Sequence, residues 1–84
     1  MSYRVSFKPS ALKEFSRLPS SAYERVRGKI AALADDPRPH GCRKLVDALE
    51  WRIRVGDFRI LYEVNDKDRL VSVDRIGHRG DVYK

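Results

Sequence analysis

A single cysteine, Cys42, in 84 residues excludes an internal disulfide and any zinc motif built on cysteine pairs. Arg43 and Lys44 beside it favour a thiolate, yet no cysteine–histidine pairing is evident along the chain. The two histidines, His40 and His78, are too few for a histidine-based metal site without carboxylate help. No metal and no cofactor is expected. No apolar run approaches the roughly 20 residues that a membrane-spanning helix needs. The N-terminus, MSYRVSFK, alternates polar and apolar residues and lacks the apolar centre of a signal peptide. A cytoplasmic protein is the expectation. A charged tail is missing too. Residues 1–36 carry seven basic and four acidic side chains, and residues 37–84 carry eleven and eight, so each part contributes +3 to the net charge of +6. Any basic surface must therefore be assembled by folding.

What is present is enough for one small domain spanning 1–84, with room for one core. At 42% hydrophobic and 36% charged, the chain is globular rather than disordered. Its positive balance points to a polyanionic partner, either nucleic acid or a strongly acidic protein.

The most informative stretch is Trp51 to Val64, WRIRVGDFRILYEV. Trp51, Ile53 and Val55 alternate with Arg52 and Arg54. After Gly56-Asp57 the alternation resumes, with Phe58, Ile60, Tyr62 and Val64 apolar. Period-2 patterning on both sides of a two-residue loop containing glycine is the signature of a β-hairpin. With 56–57 as the loop, Arg54 stands opposite Arg59 and Ile53 opposite Ile60. Opposed side chains share a face, so Arg52, Arg54 and Arg59 line one face and the apolar set the other. Like charges directly across a strand pair destabilise it by up to about 1 kcal/mol, so a hairpin that keeps them points to a need for the positive field. An ordinary solvated face of an antiparallel sheet, which commonly carries charge, is the equal alternative from this segment alone.

Upstream, Tyr3, Val5 and Phe7 alternate as a short strand. Pro9 pre-sets a helical φ and Ser10 is positioned to cap a first helix. Ala11, Leu12, Phe15 and Leu18 make its apolar face, and Pro19 stops it. Ser21 and Glu24 have capping-box spacing. Ala22, Val26, Ile30 and Leu33 follow at helical intervals until Asp35-Asp36-Pro37. Residues 35–49 are the least patterned segment, docked by Leu45, Val46 and Leu49. Asn65 to Asp68 reads as a turn, and Leu70 to Ile76 as a further strand whose inward parity is ambiguous. The order is β-α-α-β-β-β. It predicts an α+β domain with a two-helix hairpin packed on one face of a small, mainly antiparallel sheet. The arginine face is left open as the candidate site.

The chain closes on Gly77-His78-Arg79-Gly80-Asp81-Val82-Tyr83. Glycines bracket a basic, titratable pair, arginine suits phosphate, histidine exchanges a proton near neutral pH, and tyrosine stacks on bases or donates a proton. Taken alone, Val82 and Tyr83 equally suit a packed C-terminus. With ALKEFSRL in the first helix, WRIRVGDFRILYEV in the hairpin and IGHRGDVY at the end, the chain resembles the RelE/ParE superfamily of bacterial toxins, most specifically its RelE branch. The resemblance runs from Tyr3 to Tyr83. It implies a toxin of a type II toxin–antitoxin system that enters the ribosomal A site and cuts mRNA there by attack of a 2′-OH on the adjacent phosphate. It also implies three partners: a cognate antitoxin protein, the 70S ribosome with its 16S rRNA, and mRNA.

By position, the resemblance assigns catalytic roles to Arg54, Arg59, His78, Arg79 and Tyr83. RNA or ribosome contact is expected at Arg52, with Arg43 and Lys44. One departure matters: some relatives carry lysines where this chain has Arg52 and Arg54. An arginine practically cannot lose its proton, so the general base is expected at His78 or Tyr83, with the arginines stabilising charge. The chain also closes one residue after Tyr83, so no C-terminal helix is expected beyond the motif. Two alternatives stay open. One is a ParE-like toxin that poisons DNA gyrase, against which the basic hairpin and terminal motif argue. The other is a catalytically inactive RNA-binding relative, which only a growth assay separates from an active toxin.

Overall fold

A computed structural model describes residues 2–45 and 49–78. Strand β1 (Arg4–Phe7) leads into helices α1 (Pro9–Ser16) and α2 (Ser20–Leu33). Strands β2 (Arg43–Lys44), β3 (Glu50–Val55), β4 (Phe58–Asn65) and β5 (Leu70–His78) follow. The five strands form one sheet in the order β1-β5-β4-β3-β2. Only β1 and β5 run parallel; the other pairs are antiparallel. The expected fold class holds, with one strand added, because β2 has only two residues and too little length to show alternation.

The hairpin register is the one its pattern predicts: Ile53 faces Ile60, Arg54 faces Arg59 and Val55 faces Phe58. The apolar parity supplies Ile53, Ile60 and Tyr62 to the core, where they meet Ala11, Val26, Ile30 and Leu33 of the helices and Val71, Val73 and Ile76 of β5. Removing that apolar area from water is the main stabilising term, about 25 cal/mol per Å². Tyr62 is fully buried, and its phenol donates to the Pro37 carbonyl at 2.7 Å. Burial pushes its pKa well above the ordinary value, so the phenol stays a neutral donor.

Three local expectations need correction, and one open parity is resolved. Leu49, expected to help dock residues 35–49, is 75% exposed. Leu12 is half exposed, because the stripe facing the sheet runs through Ala11, Phe15 and Leu18, which pack in or against the core. The helices also start without serine caps. Lys8 and Pro19 occupy the N-cap positions with extended backbone and no side-chain cap bond; Lys8 precedes Pro9 and is pushed out of the helical region by it. Glu24 accordingly pairs with Arg27, at 3.1 Å, instead of closing a capping box. The ambiguous parity of β5 has a cause in a register shift: Leu61 pairs with Arg75 but Tyr62 pairs with Val73. Asp74 is the extra residue, and such a bulge moves every later side chain to the other face.

Beyond Phe7 the parallel partner of β5 runs out, and α1 takes over. The Lys8 amide donates to the Val73 carbonyl at 2.9 Å. The Ile76 amide donates to Glu14 Oε1 at 2.8 Å, while Arg75 Nε donates to Glu14 Oε2 at 3.2 Å. One helix carboxylate thus satisfies a sheet-edge amide that would otherwise lack an acceptor.

Candidate functional site

The sheet face turned away from the core carries the charge, and it is divided. Toward the hairpin turn the register sets Arg54 opposite Arg59, and Arg59 opposite Gly77. In the next row Arg43 faces Arg52, Arg52 faces Leu61, and Leu61 faces Arg75. Four strands therefore contribute arginine to one end of one face. Arg54 is exposed, Arg52 half-buried, and Arg59 only 8% exposed. A buried guanidinium is fixed in position and acts through a lower dielectric than water, where its field on a bound anion is larger. Arg75 was not anticipated, because the bulge at Asp74 hides its parity; its charge is held by Glu14.

At the other end of the same face stand carboxylates. Glu50, Glu63 and Asp74 bring one oxygen each within 4.8 Å of one another. Lys8 Nζ lies 3.0 Å from Asp74 Oδ1 and 3.2 Å from Glu63 Oε2. Asp74 is 4% exposed, and burial raises its pKa. Glu63 is raised chiefly through its hydrogen bond with Asp74. The ammonium of Lys8 reduces the negative charge of this cluster from within.

Other expected contacts separate from the arginine face. Lys44 pairs with Trp51 in the register, on the core side, where its Nζ lies 5.6 Å from the Trp51 ring centroid. Arg38 approaches the same ring at 5.2 Å, so Trp51 is flanked by two cations. Arg43 joins the arginine face and Lys44 does not. His78 pairs with Phe58 and meets its ring edge-on at 5.4 Å, on the side of the sheet opposite Arg59. Arg79 and Tyr83 lie outside the described residues, as does Val46.

The model for the ParE toxin of the type II toxin–antitoxin system parDE matches residues 5–83. The chain belongs to the RelE/ParE family of type II toxins. Within that family it stands on the RelE-like branch. The mRNA interferase toxin RelE of Escherichia coli K12 is 30% identical over 99% of this chain and 92% of its own. Among solved structures, the archaeal RelE–RelB complex of Pyrococcus horikoshii contains a chain 30% identical, with a TM-score of 0.84, covering 96% of this one and 99% of itself. The intact RelBE toxin–antitoxin complex of E. coli gives 28% identity and a TM-score of 0.81, over 92% and 96% of the two chains. The RelE-like toxin is thus similar along nearly its whole length to proteins solved with an antitoxin. Among its described residues no helix is long and apolar enough to cross a membrane.

Proposed function

We propose that this RelE-like toxin is a ribosome-dependent endoribonuclease, cutting mRNA in the A site and thereby halting translation, and that a RelB-type antitoxin restrains it. The observation that carries the reading is Arg59. It is a buried arginine at the centre of an arginine face, in a chain 30% identical to an mRNA interferase.

In the proposed reaction a ribose 2′-oxygen forms a bond to the adjacent phosphorus. The bond to the 5′-oxygen breaks, leaving a 2′,3′-cyclic phosphate and a 5′-hydroxyl. Three tasks follow: removing the 2′-proton, stabilising the phosphorane charge and protonating the leaving oxygen. Arg54 and Arg59, with Arg79, serve the second. They are poor bases, since an arginine practically cannot lose its proton. Arg52 and Arg43 serve as RNA-backbone contacts. Proton transfer falls first to Tyr83, by its match to the family's C-terminal tyrosine, and second to His78, whose ring packs against Phe58 away from Arg59. Tyr83→Phe is expected to slow single-turnover cleavage by about 100-fold, within the usual range for a proton-transfer group, and His78→Ala by much less. Near-normal rates in both variants would sink this assignment.

The primary test is primer extension on a defined mRNA held in 70S ribosomes, beside a ribosome-free lane and an Arg79→Ala lane. Cuts within the A-site codon, missing from both controls, are expected. Cutting of free mRNA would mean a ribosome-independent nuclease. Growth arrest without any cutting would favour gyrase as the target.

A further inference from the structure

We infer that Arg25 of α2 is a further contact for RNA phosphate, carrying the basic surface around the tip of the β3–β4 hairpin to the helix side of the sheet. The inference rests on the RNA-directed reading above. It adds a residue that the hairpin pattern and the terminal motif do not contain.

Gly56 in the hairpin turn has φ +60°, a conformation that side chains rarely adopt and that asparagine tolerates better than most. A second constraint acts there. A Cβ at position 56 would lie 2.9 Å from Arg25 Nη2, 3.2 Å from Nη1 and 3.3 Å from Cζ. The bare glycine therefore leaves the space in which the guanidinium rests against the turn. Arg25 itself is exposed, and among the described residues it has no hydrogen-bond or ion-pair partner. Neighbouring arginines differ. Arg27 pairs with Glu24, Arg38 with Asp66 and Arg75 with Glu14.

The location gives this exposed cation its meaning. Arg54 and Arg59 form the last charged pair before the turn, so Arg25 meets the hairpin where the arginine face ends. A guanidinium lying beside the turn, with its fork uncommitted, suits a bidentate phosphate contact. An RNA strand leaving the arginine face over the hairpin tip would meet it next. A negatively charged protein segment is the competing occupant, and the test separates the two.

The experiment measures binding of wild type, Arg25→Ala, Arg25→Lys, Gly56→Asn and the Arg25→Ala/Gly56→Asn double variant over a salt series. The probes are mRNA-programmed 70S ribosomes, ribosomes without mRNA, a short single-stranded RNA and the cognate antitoxin, and each variant's thermal midpoint is measured beside them. Arg25→Ala is expected to weaken binding by about three- to tenfold and to reduce the slope of log K against log[salt] by about 1, the mark of one lost phosphate contact. Arg25→Lys should keep most of the slope. Gly56→Asn should act like Arg25→Ala, and the double variant should be no worse than either single one. In cleavage, the half-saturating ribosome concentration should rise more than the rate at saturation falls. A loss confined to programmed ribosomes would place the phosphate in mRNA, and a loss on empty ribosomes in ribosomal RNA; both support the inference. Unchanged affinity and slope would overturn it. So would a lower thermal midpoint with intact binding, which marks a brace for the turn, or a loss of antitoxin affinity alone. A wild type that binds ribosomes without cutting would overturn the nuclease reading and still allow the binding comparison.

Discussion

Two halves of one sheet face share the same strands and the same parity, yet handle charge in opposite ways. Along β4, Arg59 and Glu63 stand four residues apart, about 13 Å at the rise of a strand. That exceeds the screening length of about 8 Å at physiological salt. In the carboxylate half, Glu50 sits directly opposite Glu63, and Lys8 offsets the repulsion locally through its contacts with Glu63 and Asp74. In the arginine half, Arg54 opposes Arg59 and Arg43 opposes Arg52, each pair costing up to about 1 kcal/mol. An arginine cannot shed its charge as a carboxyl group can, so these pairs keep their full positive charge across the working pH range. The difference sets a half whose charge is offset by a lysine within the fold against a half that gathers charge of one sign.

The largest expected break of this comparison is Arg59→Ala. If the buried guanidinium stabilises the phosphorane, single-turnover cleavage should fall by about 100- to 1000-fold, with ribosome affinity changed much less. A fall in affinity alone would demote Arg59 to a binding contact. Next comes Arg52→Ala, expected to weaken ribosome binding about tenfold and to lower the salt slope by about 1. Neutralising a carboxylate in the other half, by Glu63→Gln, should leave both quantities within about twofold, because screening separates the halves. Smaller again is Glu14→Ala at the edge of the arginine half. It leaves the Ile76 amide without its acceptor, for an expected cost of about 1 kcal/mol and a fall of about 4–8 °C in the thermal midpoint. Urea unfolding checks the energy, and an unchanged midpoint would mean that water replaces Glu14.

How much of this was legible depended on how far each signal lies from its partner in sequence. The hairpin declared itself because Gly56-Asp57 and the alternation around it are local, and local pairing fixed Arg52, Arg54 and Arg59 on one face. Strand β5 was legible as a strand but not by face, since one extra residue at Asp74 reverses parity without changing composition. That same bulge hid Arg75. The serine caps were misread because each adjacent proline imposes its own boundary on the helix start. His78 looked like a neighbour of the arginines in sequence, yet the strand pleat turns it toward Phe58. Lys44 and Arg43 are adjacent residues sent to opposite faces by the same pleat. The contacts of Glu14 with β5 and of Arg25 with Gly56 join segments far apart in the chain, and nothing local to either residue announces them.

The smallest effect is a pH dependence that should set the two halves apart, because arginines do not titrate in the working range. Burial raises Asp74, and its hydrogen bond with Asp74 raises Glu63. A carboxyl group with a raised folded pKa favours folding most when protonated. Its stabilising effect is full below the unfolded values near 4 and is lost as pH rises through the raised folded values. Asp66 acts with the opposite sign. The Arg38 guanidinium and the Tyr3 hydroxyl hold it at about 2, so its contribution is present above its ordinary range and is lost as pH falls through about 2. Comparing wild type with Asp74→Asn cancels the Asp66 part and isolates the cluster. The variant should be less stable than wild type at pH 4, where it lacks the protonated Asp74 contacts, and should gain on wild type steadily toward pH 7. Parallel urea-denaturation curves across that interval would mean that Lys8 alone compensates the cluster. In that case the carboxylate half would carry its charge as permanently as the arginine half does.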